Sequence, residues 1–154
     1  MTINIKDINK EVFKRVLIEE NERADMSCIM FKEQIEKGNT YGDPEGFQKT
    51  YDFLVNKKRY FKYLISLINA TNNINVSEEE KKYFNFLIEN QIHVSNSRIK
   101  DWEKGGEMYI KLYYKNVTIG GHPEEEFDQC VKEIIKYDEQ NIECVNKLKK
   151  LIYG

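Results

Sequence analysis

A chain of 154 residues has the size of one domain, and folding at that length buries about 70% of the unfolded surface, enough for a core without disulfide or metal staples. Its 40% apolar and 32% charged residues exclude a disordered chain and suit long helices with solvated faces. A net charge of −2 argues against a dedicated binder of nucleic acid or another polyanion, which would carry a clear basic excess.

Isoleucine, lysine, asparagine and tyrosine are abundant, while alanine occurs only at Ala24 and Ala70. AT-rich codons produce that bias, and it points to a low-GC bacterium or its phage as the source. Cysteine is odd in number (Cys28, Cys130 and Cys144), all three stand at apolar helical positions, and no CxxC pair occurs. The expectation is buried free thiols in a reducing cytoplasm. The opening MTINIKDINK has no apolar signal core, and the stretch around Tyr63 to Ile68 is far short of the ~20 residues a membrane span needs. A cytoplasmic protein with no membrane partner follows.

The first helix is expected over residues 8 to 37, opening at Asp7 as N-cap and closing at Gly38. Val12, Phe13, Val16, Leu17, Ala24, Cys28, Phe31 and Ile35 form its apolar stripe, with a polar gap at Glu20 and Asn21. After a turn-rich loop, Asp43 caps and Pro44 starts a second helix through Phe47, Tyr51, Leu54, Phe61, Leu64, Ile65 and Ile68, interrupted at Lys58. Asparagines at 69, 72, 73 and 75 mark a loop. Ser77-Glu78-Glu79-Glu80 is a capping box that opens a third helix, whose face is Phe84, Leu87, Ile88, Ile92, Ile99 and Trp102, with Gln91 and Ser95 as polar members.

Gly105-Gly106 breaks or kinks that helix, since two interior glycines cost about 2 kcal/mol against alanine. Residues 107 to 119 alternate as a strand would, yet their three/four spacing continues the third helix through the glycines. A short helical segment over about 107–117 is favoured over a strand. The final helix, 124 to 152, follows Pro123. Phe127, Val131, Ile134, Ile142, Val145, Leu148 and Ile152 form one row, and Cys130, Tyr137, Cys144 and Leu151 a second, with Asp138 interrupting the first. Apolar coverage that wide demands two or three neighbouring helices, or a homodimer. The predicted fold is all-α: one domain, an antiparallel bundle of four long helices with the short fifth segment.

Few residues here suggest chemistry. A di-iron bundle needs two Glu-x-x-His pairs; Glu89 stands four before His93, and His122 follows two glycines. No metal ligand, cofactor or catalytic residue is assigned, and nothing argues for an enzyme. Glu19, Glu20, Glu22 and Asp25 read as a solvated acidic face. Lys57, Arg59 and Lys62, interleaved with Tyr60, Phe61 and Tyr63, form a basic-aromatic patch of the kind that tracks phosphates and stacks bases. The simpler account makes them solvent-facing charges, so nucleic acid is the third reading.

Helix centres fall near residues 22, 56, 90 and 138, beside the polar interruptions Glu20, Asn21, Lys58, Gln91 and Asp138. In an up-and-down bundle these meet at one level, so a buried polar layer is expected in which Lys58 compensates Glu20 and Asp138, either to fix register or to hold a ligand. The functional expectation is a small non-enzymatic protein that binds another protein, as an inhibitor, immunity-type or regulatory factor. Its sequence support is the aromatic excess at Tyr51, Phe53, Tyr60, Tyr63, Tyr109, Tyr113 and Tyr114. The alternative is a ligand- or metal-binding bundle that uses its interior charges.

Overall fold

Two helical hairpins, tied at one end by a short ribbon, make up the fold. The structure, a computed structural model, describes residues 1–109 and 124–154, with side chains for 1–105 and 129–154. In chain order the elements are strand β1 (Thr2–Asn4), helix α1 (Lys10–Glu36), helix α2 (Pro44–Leu67), strand β2 (Asn73–Asn75), helix α3 (Glu78–Tyr109) and helix α4 (Glu124–Tyr153). This is an all-α antiparallel bundle. Of the expected fifth segment, residues 107–109 belong to α3, which runs through Gly105-Gly106 without a break. The remainder lies outside the described residues.

Local chemistry sets the helix ends. Asn9, rather than Asp7, caps α1: its Oδ1 accepts from Val12 N at 3.1 Å. A turn closed by Ile8 N donating to Ile5 O, 3.0 Å, holds Asp7 two residues ahead of the cap. At the other end Asn39 N reaches Gln34 O and Gly38 N reaches Ile35 O, at 2.8 and 3.1 Å. That is a Schellman closure, and it needs the left-handed φ of +69° at Gly38. Asp43 Oδ1 accepts from Gly46 N at 3.0 Å with Pro44 in the first turn. A Cβ on Gly46 would stand 2.1 Å from Asp43 Oδ2, so the cap depends on that glycine. The capping box at α3 is reciprocal: Ser77 N donates to Glu80 Oε2, 2.6 Å, and Glu80 N to Ser77 Oγ, 3.1 Å.

Side-chain pairs fix the helix directions. Glu20 meets Lys57 and Phe31 meets Phe47, so rising numbers on α1 face falling numbers on α2. Ser95 with Asp138 and Lys81 with Tyr153 do the same for α3 and α4, as Arg15 with Asn141 and the Asp7 carbonyl, just ahead of α1, with Lys147 do for α1 and α4. Contact is heaviest within the hairpins α1/α2 and α3/α4. An aromatic seam joins the hairpins, with Phe53 and Tyr60 of α2 against Tyr83, Phe84 and Phe86 of α3.

The asparagine-rich stretch between α2 and α3, expected as loop, contains β2. It pairs antiparallel with β1 in the register Thr2↔Asn75, Ile3↔Ile74, Asn4↔Asn73. Both strands bury one isoleucine between two exposed polar residues, and Ile3, Ile5, Ile74 and Val76 close the end of the bundle over Phe13, Leu64, Ile68 and Ile152. Cys28 and Cys144 are buried, but Cys130 is exposed, which corrects the expectation of three buried thiols. Of the second α4 row, Tyr137 and Leu151 also remain exposed. Among the described residues no helix is long and apolar enough to cross a membrane.

The ribbon end is the place where truncation should be felt most. Ile5→Ala, at a fully buried site, is expected to destabilise by about 2–4 kcal/mol in urea unfolding. Ile29→Ala, on the exposed side of α1, should change stability by less than about 0.5 kcal/mol.

Candidate functional site

At mid-height the bundle replaces apolar packing with charge. Lys57 of α2 and Glu20 of α1 are 0% and 1% exposed in their side chains and lie 2.5 Å apart, Nζ to Oε1. Asn90 Nδ2 also donates to Glu20 Oε1, at 3.2 Å, and Arg23 NH2 to Glu20 Oε2, at 2.8 Å. The Lys57 ammonium stands 4.3 Å from the centre of the Phe86 ring. One carboxylate thus ties α1, α2 and α3 together.

A chain of hydrogen bonds continues from this cluster toward α4. Arg23 NH2 donates to Gln91 Oε1 (3.2 Å), Gln91 Nε2 to Ser95 Oγ (2.8 Å) and Ser95 Oγ to Asp138 Oδ1 (3.2 Å). Arg98 closes the circuit, with NH2 2.8 Å from Asp138 Oδ1 and 3.1 Å from Glu19 Oε2. Beside it, Arg15 NH2 donates to Asn141 Oδ1 at 2.7 Å and its guanidinium lies 3.4 Å from the centre of the Tyr137 ring. Glu19, Glu20 and Asp138 therefore face Arg23, Lys57 and Arg98, so the layer balances its own charge.

Burial and charge pull against each other here. Desolvation lowers the Lys57 pKa although Glu20 opposes it, and desolvation raises that of Asp138 although Arg98 and Ser95 oppose it. For Arg98 desolvation is outweighed by hydrogen bonds and charge from Glu19 and Asp138, so its pKa rises. Both carboxylates that reach the interior already have cations as partners. Among the described residues no group of three His, Cys, Asp or Glu could hold a metal ion. His93 is exposed, and His122 lies outside the described residues. Burial pushes the Cys144 thiol up to about 12, which leaves no thiolate nucleophile there at neutral pH.

The sequence-derived candidates divide cleanly by position. Glu20, Gln91 and Asp138 are buried, and Asn21 is half-buried with its Nδ2 donating to the Lys58 carbonyl at 3.2 Å. The lysine assignment requires correction. Lys58 turns away from the layer to pair with the exposed Asp25, and Lys57 is the interior residue. Leu54-Lys57-Phe61 and Leu54-Lys58-Phe61 both satisfy three/four spacing, so periodicity alone does not separate the two. Asp138 takes Arg98 as its cation, not a lysine of α2. The basic patch loses its first member by the same correction, leaving Arg59 and Lys62 exposed. In the sequence Ser95 stands out only as a polar face residue, while Arg23, Arg98, Asn90 and Asn141 carry no signal beyond their helical register.

Removing Lys57 leaves Glu20 buried with Arg23 and Asn90 only. Lys57→Met is expected to destabilise by about 3 kcal/mol in urea unfolding. Lys58→Met should stay below about 1 kcal/mol, because its pair with Asp25 is solvent-screened. The double variant Glu20→Leu/Lys57→Met should regain much of the loss. For Asp138 the folded-state pKa lies above its ordinary value. Its stabilising contribution is therefore complete below the unfolded pKa and is lost as pH rises through the folded one. Asp138→Asn should accordingly match or exceed the parent Tm at pH 7, and the difference should shrink on approach to about pH 4.

Comparison with protein-family models, with curated proteins and with solved structures finds no match, so the layer and the surface around it have to be interpreted through their own chemistry.

Proposed function

We propose that this chain acts by binding another protein, as an inhibitor, immunity-type or regulatory factor, and that α1 presents the docking surface. The observation that carries this reading is a row of large apolar side chains on the solvent side of α1. Ile18, Met26, Ile29 and Met30 are 44, 76, 68 and 49% exposed and occupy a sector of roughly 120° at 3.6 residues per turn. An amphipathic helix ordinarily presents polar residues there. Exposed apolar surface is characteristic of interaction sites, here interrupted by Glu22 between Ile18 and Met26, and methionine adapts to irregular partners.

The aromatic excess gives less support than this row. Phe53 and Tyr60 are used in the seam between α2 and α3, while Tyr63 remains exposed and the side chains of Tyr109, Tyr113 and Tyr114 lie outside the described residues. A ligand site among the interior charges is disfavoured because those charges are already paired with one another. Nucleic-acid contact is disfavoured because Lys57 is interior and Lys58 is tied to Asp25. Action in the cytoplasm belongs to the same proposal, supported by free, buried Cys28 and Cys144. A homodimer through the α1 row is the competing occupant, since Tyr137 and Leu151 of α4 add exposed apolar surface.

Photo-crosslinking in the native cell tests the reading. A photoreactive side chain at position 29 should give a discrete adduct with a different protein, and one at the exposed Lys49 should not. An adduct of this chain with itself would support the homodimer instead. Equal labelling at both positions, or none at 29, would refute docking on α1.

A further inference from the structure

The α1 row borders a trough with a chemical bias of its own. Three adjoining hollows lie along this side of the bundle, two between α1 and the α3/α4 pair and a third between α3 and α4. The first contains Met26, Val94 and Arg98, the second Ile18, Arg15 and Tyr137, and the third Ile134, Tyr137 and Asp138. They are continuous: Glu19 and Glu22 belong to both the first and second, and Tyr137 to the second and third. The walls are apolar, through Ile18, Met26, Val94, Ile134 and Tyr137.

The charges at the trough are not equivalent. Its arginines are committed: Arg15 to Asn141 and the Tyr137 ring, Arg23 to Glu20 and Gln91, Arg98 to Glu19 and Asp138. Three acids at the rim, Glu11, Glu22 and Glu133, are exposed and have no ion-pair or hydrogen-bond partner among the described residues. Against them stands one uncommitted cation, Lys14. An apolar floor with unpaired acids along its rim complements an apolar stripe flanked by cations. From Glu11 to Met26 the trough borders about 23 Å of α1 at 1.5 Å per residue, which accommodates about four helical turns.

We infer that this trough receives a basic amphipathic helix of the partner protein, with its apolar stripe on Met26, Val94 and Ile134 and its lysines or arginines on Glu11, Glu22 and Glu133. The inference rests on the reading of α1 as a docking surface and specifies the partner's chemistry. Helix-in-groove recognition supplies the geometry, and rim charge selects the partner and speeds its encounter.

The probe is a fluorescein-labelled synthetic peptide of about four turns, with leucines at three/four spacing on one face and lysines on both flanks, followed by fluorescence anisotropy at low salt. Saturable binding is expected, weakened at least about tenfold by Glu22→Lys/Glu133→Lys. A peptide with glutamate in place of lysine should prefer that variant over the parent, a reversal that misfolding of the variant could not produce. Equal affinity of parent and charge-reversed variant, or equal binding of a scrambled peptide of the same composition, would overturn the inference. So would a dimer of the protein alone that Met26→Ser/Ile29→Ser abolishes, since a second copy would then occupy the trough. A heterologous adduct at position 29 with no peptide binding would sink the basic partner and leave docking on α1 standing. The absence of the adduct would sink docking itself.

Discussion

An ammonium group removed from water is tolerated only where a carboxylate and its neighbours replace the lost hydration, and α2 carries Lys57 to a position with no exposed surface. Glu20 supplies the replacement, and it is itself held by Arg23 and Asn90. A single residue of α2 thereby fixes the height of α1 and of α3. Sliding α1 past α2 by one turn, about 5.4 Å, would still let leucine, isoleucine and phenylalanine find apolar neighbours. It would not let Lys57 find Glu20. The ion pair thus distinguishes registers between which hydrophobic contact is nearly indifferent, which is the best-attested use of polar groups in helical cores.

The layer also separates two kinds of packing. Toward the ribbon, all four helices and both strands contribute to one apolar cluster. Beyond the layer, α1 and α2 mainly pack on each other through Ala24, Cys28, Leu54 and the Phe31–Phe47 contact. On α4, Val131, Ile134 and Ile135 are only half-buried at the corresponding height. Lower buried apolar area means a lower free energy of local opening. Among the described residues the apolar packing is denser toward the ribbon, and the trough crosses the layer, from Glu11 near the ribbon to Met26 beyond it.

Much of this was legible in the sequence where a side chain acts on its own backbone, the α1 cap excepted, since Asp7 and Asn9 offer equally good capping side chains two residues apart. The caps at Asp43-Pro44 and Ser77-Glu80 and the closure at Gly38 each need only a few neighbouring residues, so their signals are complete within a short window. Glu20, Gln91 and Asp138 stand out because each breaks an apolar row that continues on both sides. Lys57 and Lys58 are a different case: adjacent lysines at two equally good spacings, separated by 100° of rotation that only the neighbouring helices decide. The ribbon escaped for a related reason. Thr2-Ile3-Asn4-Ile5 and Asn73-Ile74-Asn75-Val76 are matched alternations, but asparagine is a poor strand former and each segment is short, so only pairing across α1 and α2 makes them strands.

The exposed row on α1 has a consequence for how such a protein can change. Ile18, Met26, Ile29 and Met30 lie on the solvent side of α1, away from the apolar cluster, so replacing them perturbs folding little. If α1 docks a partner as proposed, the residues that would choose the partner and those that determine the fold occupy different sides of the same helix. Mutation can explore new partners along the row while selection on stability acts through Phe13, Leu17 and Glu20 opposite. Under that proposal the scaffold could stay constant through successive changes of target, as expected where the counterpart is itself changing.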